Sequence, residues 1–267
     1  MGLTIFQVDA FTDRKFAGNP AAVCLLVEPR DEKWMQDMAR EINLPATAYL
    51  HRHQDGFNLR WFTTNAELTL CGHATLASAH VLWETGQLKE TDEARFSTQG
   101  GLLTARRLGD WIELDFPAKR EERTKAPAGL ERALGASAKY VGRNALDYLV
   151  EVESAAVLRG LRPDLSSLKS LDVRGVIVTS PSDAPEYDFL SRFFAPGAGI
   201  DEDQVTGSAH CCLGPYWANR LQKNELKAYQ ASQRGGVVRV RVKGDRVYLG
   251  GQAVTVMRGE LLSEEKD

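Results

Sequence analysis

Apolar and polar residues alternate with a period of two through Thr4-Ile5-Phe6-Gln7-Val8-Asp9-Ala10-Phe11, which predicts a half-buried strand. The continuous apolar run Ala21 to Val27 predicts a second strand, buried on both faces, and Gly18-Asn19-Pro20 between them has the chemistry of a turn. From Asp31 to Glu41 the period changes. Trp34, Met35, Met38, Ala39 and Ile42 form the stripe of an amphipathic helix, with Asp31 as its cap and the stripe facing the core. Asn43 to Leu50 then reads as a turn entering a strand, with Phe57 to Thr63 as its hairpin partner. Segments Arg95 to Gln99, Leu102 to Leu108 and Trp111 to Phe116 alternate as an antiparallel meander, with turns at Gly100-Gly101 and Gly109-Asp110. The charged stretch Pro117 to Pro127, with proline at each end, reads as an interdomain linker. Beyond it the inventory recurs: a helix from Ala128 to Leu134, strands Tyr148 to Val152, Val173 to Thr179 and Tyr187 to Ala195, a long helix Ser208 to Leu221, and strands Leu226 to Ala231, Val237 to Val242, Val247 to Gly250 and Val254 to Met257.

Inside this pattern one unit occurs twice. Arg60-Trp61-Phe62, an acidic loop at Glu67, and Gly72-His73-Ala74 opening a helix match Arg192-Phe193-Phe194, the loop Asp201-Glu202-Asp203, and Gly207-Ser208-Ala209, with three extra residues in the second loop. A glycine followed by small residues opens a helix whose first N–H groups have no partner within the helix, and such an end attracts anions. For either copy alone, close helix packing explains the small residues equally well. The repetition, in one order, of aromatic strand, acidic loop and glycine turn favours a paired site for a small acidic ligand. The fold class read here is α/β (α+β): two pseudo-symmetric halves, residues 1–118 and 119–267, each a curved mixed sheet or barrel wrapped around a central helix. The last strand is free to cross to the N-terminal half.

Composition narrows the functional classes. In 267 residues the formal net charge is -3, with both signs intermixed, which argues against a nucleic-acid face or a polybasic membrane anchor. The longest apolar run falls far short of the roughly 20 residues that a membrane helix needs. The first residues lead straight into a strand without a signal-peptide pattern, so a cytoplasmic location is expected. Cys24, Cys71, Cys211 and Cys212 lack CxxC spacing and fit reduced thiols, with no metal expected.

Gly18-Asn19-Pro20, Asn43-Leu44, Leu70-Cys71-Gly72-His73-Ala74-Thr75-Leu76-Ala77, and Asp201-Glu202-Asp203 leading to Val205-Thr206-Gly207-Ser208-Ala209-His210 resemble the PhzF-like (phenazine biosynthesis) family, a branch of the diaminopimelate-epimerase fold. The resemblance spans essentially the whole chain. It implies two pseudo-symmetric halves with a ligand cleft between them, usually a homodimer, and isomerisation or epimerisation of a small carboxylic acid by proton transfer without a cofactor. It implies that His73 and Asp203 stand beside the migrating proton, that Ser208, Gly72 and Gly207 hold the substrate, and that Asn19 adds a hydrogen bond.

One position departs from the family pattern. Isomerising members usually follow Asn-Leu with Ser-Glu, the Glu being their principal acid/base, whereas this chain has Pro45-Ala46. A methyl group carries no proton, and loss of a general acid/base costs about 10²- to 10⁴-fold. An inactive variant, a branch with another base, and a pure ligand-binding protein all fit. Glu41 and Glu67 are the nearest carboxylates in sequence, with Glu41 expected to face outward and Glu67 to serve the acidic loop. Asp203 reads as a helix cap or as a base, and His73 as a neutral imidazole in a first helical turn. Cys71 has a second reading, because diaminopimelate epimerases and proline racemases place a catalytic thiol just before the corresponding glycine. Their two-base chemistry needs a second thiol, and this chain has Val205-Thr206 there. Cys71 therefore reads chiefly as a packing residue.

Overall fold

The computed structural model describes residues 3–262, which divide into two compact units: 3–115 with 250–262, and Phe116–Leu249. Among the described residues no helix is long and apolar enough to cross a membrane.

The first unit opens with β1 (Leu3–Ala10) and β2 (Asn19–Leu25), antiparallel, with Ala10 opposite Asn19. Helix α1 (Glu32–Ile42) crosses over to β3 (Thr47–His53), which runs parallel to β2. The Asp31 carboxylate caps α1 by accepting the Trp34 N–H, as its sequence position predicts. Its apolar stripe packs on Tyr49 and Phe62, and the Tyr49 hydroxyl donates to the Met35 carbonyl at 2.7 Å. Strand β4 (Gly56–Phe62) returns against β3, and the two-residue β5 (Glu67–Leu68) lies beside its end. Then comes α2 (Gly72–Glu84), followed by the antiparallel β6 (Ala94–Thr98), β7 (Gly101–Leu108) and β8 (Trp111–Pro117), with β6 parallel to β4. The chain's last strand, Ala253–Leu261, pairs with the free side of β1.

Helix α2 has no polar face. Leu76, Ala77, Ala79, Val81 and Leu82 are all fully buried, and the helix packs on β1, β2 and β3, as expected of a helix enclosed by sheet. Its buried hydroxyls are satisfied locally, Thr75 donating to the Cys71 carbonyl and Ser78 to the Ala74 carbonyl, both at 2.7 Å.

The second unit repeats this plan pairing for pairing. After β9 (Glu122–Arg123) and the short α3 (Leu130–Leu134), β10 (Tyr140–Arg143) and β11 (Asp147–Glu151) form an antiparallel pair. Helices α4 (Ala155–Gly160) and α5 (Leu165–Lys169) cross over to β12 (Gly175–Pro181), parallel to β11. Strand β13 (Phe189–Ala195) returns against β12, with β14 (Ile200–Asp203) beside it. Helix α6 (Gly207–Leu221) leads to β15 (Glu225–Gln230), parallel to β13, and then to β16 (Gly236–Lys243) and β17 (Arg246–Gly251); the strand 253–261 is β18. Helix α6 is pressed onto the sheet at Gly214, where a β-carbon would stand 2.7 Å from Val240 Cγ1.

Three sequence expectations need correction. The stretch Pro117 to Pro127 is no free linker: Ala118 and Lys119 donate backbone hydrogen bonds to Asp245 and Cys211, and β9 pairs with β10. Strand β10 and helices α4 and α5, of four, six and five residues, escaped the reading because none is long enough to show a period. The helix expected from Ala128 starts at Leu130, after Gly129 in a left-handed conformation.

Candidate functional site

In the first unit Cys71, Gly72 and His73 form the start of α2. Cys71 is the cap residue, with extended backbone and no side-chain cap bond, and Gly72 and His73 begin the helix. His73 and Cys71 are buried, with 8% and 5% exposure, and the Cys71 sulfur stands 3.6 Å from His73 Nδ1. Asn19, fully buried, begins β2, one of the strands on which α2 packs. The turn before it requires glycine: Gly18 has φ +65°, and a β-carbon there would lie 2.2 Å from the Ala10 carbonyl oxygen. The buried Asp9 carboxylate accepts the Phe16 N–H at 2.7 Å and closes this loop. Ala46, also fully buried, precedes β3 and takes the Ala22 N–H on its carbonyl at 3.0 Å.

Both carboxylates near position 46 in sequence are otherwise placed. Glu41 is exposed, as expected. Glu67 holds the Arg60 guanidinium in a two-pronged pair, with Nε–Oε1 at 2.6 Å and Nη2–Oε2 at 2.7 Å. Arg192 and Glu202 make the same pair in the second unit, at 2.7 and 2.8 Å. The acidic loops thus serve, at Glu67 and Glu202, to anchor the arginine of each aromatic strand. The duplicated Arg60 and Arg192, each followed by an acidic loop, were the sequence signal for these pairs.

In the second unit Asp203, Gly207 and Ser208 share the corner from β14 into α6. The Asp203 carboxylate accepts the Thr206 hydroxyl at 2.7 Å. Gln230, reaching over from β15, donates to the Asp203 carbonyl and to the Thr206 hydroxyl oxygen, and accepts the Thr206 N–H. Ser208 is partly exposed and accepts a hydrogen bond from Arg174 Nη2 at 3.0 Å. Arg174, Asp147 and Gln230 were not read from the sequence, and no local pattern marks them. Arg174 also lines a pocket of about 450 Å³ with Arg143, Lys169, Asp172 and Gly197, which none of the expected site residues reaches.

The remaining thiols are buried, which disfavours their thiolate forms. Burial pushes Cys211 up to about 12, and Cys24 and Cys212 further still. Both Cys211 and Cys212 lie inside α6, past its first residues.

Strand register sets equivalent positions in the two units. Trp61 faces Ala48 across the β3–β4 hairpin, and Phe193 faces Ile177 across β12–β13. Counting back from these pairs puts Ala46 at the register of Gly175, and Pro45 at that of Arg174. In the second unit the residue just before the parallel strand reaches the helix start, through the Arg174–Ser208 bond.

This duplicated arrangement occurs in a chain whose residues 8–259 match the model of the PhzC-PhzF family, described as phenazine biosynthesis-like protein. The chain belongs to this family. It is 55% identical over 263 residues, 98% of this chain and 99% of the relative, to a Halalkalibacterium halodurans protein described as an uncharacterized isomerase. A Pseudomonas aeruginosa protein with the same description is 47% identical over 265 residues, again 98% and 99% of the two chains. Among solved structures, a PhzF-family protein of Enterococcus faecalis superposes with a TM-score of 0.94 at 40% identity, covering 98% of this chain and 100% of that one.

Proposed function

We propose that the protein is a cofactor-independent isomerase or epimerase that moves a proton on a small carboxylic acid. Family membership and the isomerase descriptions of its relatives support the reaction class. The observation that carries the reading within the molecule is the pair of equivalent helix starts, Gly72-His73 and Gly207-Ser208, one with an imidazole and the other with a hydroxyl. The positive end of the helix dipole at such starts suits a carboxylate. With alanine at position 46, the proton falls to His73 and Asp203, while Asn19, Gly72, Gly207 and Ser208 hold the ligand.

A second reading stems from Ala46 itself. Its methyl group is fully enclosed and carries no proton, which suits a protein that binds its acid without turning it over. Incubation with a set of 2-amino and 2-hydroxy acids in deuterium oxide separates the two. Deuterium appearing on the carbon beside the carboxylate, and lost in His73→Ala or Asp203→Asn, supports the isomerase. Thermal stabilisation by an acid without any labelling leaves the binding protein.

A further inference from the structure

Arg174 is held more firmly than a surface arginine needs to be. Its Nε donates to Asp147 Oδ1 at 2.9 Å and its Nη2 to Asp147 Oδ2, forming a planar two-pronged pair. Its guanidinium lies over the Phe193 ring at 5.2 Å, and its backbone N–H is fixed on the Leu146 carbonyl at 2.8 Å. Asp147, only 1% exposed, is fixed in turn, because Asn144 Oδ1 accepts the N–H groups of Leu146 and Asp147 at 2.8 and 2.9 Å. The neighbouring Gly175 lets the strand pass close to the same ring, since a β-carbon there would sit 2.7 Å from Phe193 Cζ. Fork, ring and strand together leave the guanidinium one orientation, in which Nη2 also points at Ser208 Oγ.

Chemistry fixes the direction of that bond. A guanidinium has donors and no acceptor, so Ser208 must accept, which leaves its own hydrogen to be given away. We propose that Arg174 is a positioning residue: anchored by Asp147, it orients and polarises Ser208 as a hydrogen-bond donor, selecting a carboxylate oxygen over a neutral amide at the start of α6. Pro45 stands at the equivalent register in the first unit and has no donor to offer, so this arm exists in the second unit alone. The ligand class rests on the proposed isomerase reading. The relation between Arg174 and position 208 does not.

A thiol at position 208 tests the relation without any ligand. The native cysteines are all buried, so iodoacetamide reads the Ser208→Cys variant above the background of the unaltered chain. Alkylation is followed against pH with Arg174 intact, and with Arg174→Gln, Arg174→Lys or Asp147→Asn added. The expected result is a thiol titrating below the ordinary value, with alkylation at pH 7 slowed about tenfold by Arg174→Gln, which corresponds to a shift of about one pH unit. Arg174→Lys should restore part of the rate, an outcome that a purely structural arginine does not predict. Superimposable pH profiles with and without Arg174 overturn the proposal.

Lactate and lactamide then test the ligand class, with binding read from the amide shifts of Gly207, Ser208 and Ala209. Lactate should bind more tightly than lactamide, and Ser208→Ala and Arg174→Gln should each weaken lactate about tenfold, the double variant being no worse than either. Independent, multiplying losses overturn action through Ser208. Equal affinities for lactate and lactamide, or no lactate binding beside a shifted thiol, overturn the carboxylate class and the functional reading it rests on, while leaving the Arg174–Ser208 relation in place.

Discussion

The Arg60 guanidinium is gripped by Glu67 through two parallel hydrogen bonds, 2.6 and 2.7 Å long, with both side chains largely out of solvent. The same Nη2 also meets Glu32 at 3.0 Å, where the acid is 71% exposed. Glu67→Gln should therefore cost about 2 kcal/mol, since it leaves a half-buried cation with a neutral partner, while Glu32→Gln should stay within about 0.5 kcal/mol. Urea unfolding of the two variants measures the difference. Proton exchange on a bound acid should survive in Glu67→Gln, and its loss would make Glu67 the missing acid/base after all.

Gly18→Ala should destabilise the first unit by about 1–3 kcal/mol. The added carbon meets the Ala10 carbonyl in a backbone conformation that alanine avoids, and relief has to move Asn19. Equilibrium unfolding gives the cost. Lowered ligand affinity in whatever folded protein remains would separate displacement of Asn19 from simple loss of stability.

His210 is entirely buried in α6, with Nδ1 2.8 Å from the Thr206 carbonyl oxygen and Nε2 lacking a hydrogen-bond partner among the described residues. Nδ1 therefore carries the proton, and a second proton on Nε2 would find no acceptor. Burial brings the group down from 6.5 to about 4. Below pH 6.5 the unfolded chain takes up a proton that the folded chain refuses until near pH 4, so stability is full above that window and falls as pH drops through it. The loss should approach about 3 kcal/mol. His210→Asn, which keeps a donor for Thr206, should lower stability at neutral pH yet flatten its fall between pH 6.5 and 4. Parallel pH profiles of unfolding free energy for the two chains would refute this.

Much of this was legible in the sequence, for reasons that differ from one element to the next. The α1 stripe was plain because one face of that helix meets Tyr49 and Phe62 while the other meets water. Helices α2 and α6 show no such stripe, being enclosed by sheet, and were found instead through their repeated glycine starts. Glu67 was read only as part of its acidic loop, and its grip on Arg60 came from the fold, although the recurrence of Arg60 and its loop as Arg192 and its loop marked the place. Arg174 could not: a single arginine before a strand looks like any solvated charge, and only folding brings it to Asp147 and Ser208, at separations of 27 and 34 residues. Gln230 was hidden in the same way, its partners Asp203 and Thr206 lying a whole helix earlier.

Ala46→Glu should create or raise proton-exchange activity by about ten- to ten-thousand-fold, the worth of one general acid/base. The new carboxyl would enter a fully buried position, where desolvation raises its pKa towards the useful range. It should also make the protein less stable as pH rises above about 4, because the unfolded chain then ionises a group that the folded chain keeps protonated. Rates of α-carbon deuteration, compared between the two chains at several pH values, decide the point. A faster unaltered chain would show that another base already does the work.

The strand β18 pairs with the β1 edge across 243 to 258 residues of sequence, from Ala10 opposite Ala253 to Leu3 opposite Leu261. On the ribosome, therefore, β1 waits with that edge open until residues 253–261 have been made. The stretch Phe116–Leu249 is continuous, emerges earlier than β18, and contains its own α6 and surrounding ladder. Synthesis thus reverses the order suggested by the numbering: the later-made unit can close first, and the first-made unit is finished last. A released chain truncated after Leu249 should resist protease across 116–249 while residues 1–115 are still cut.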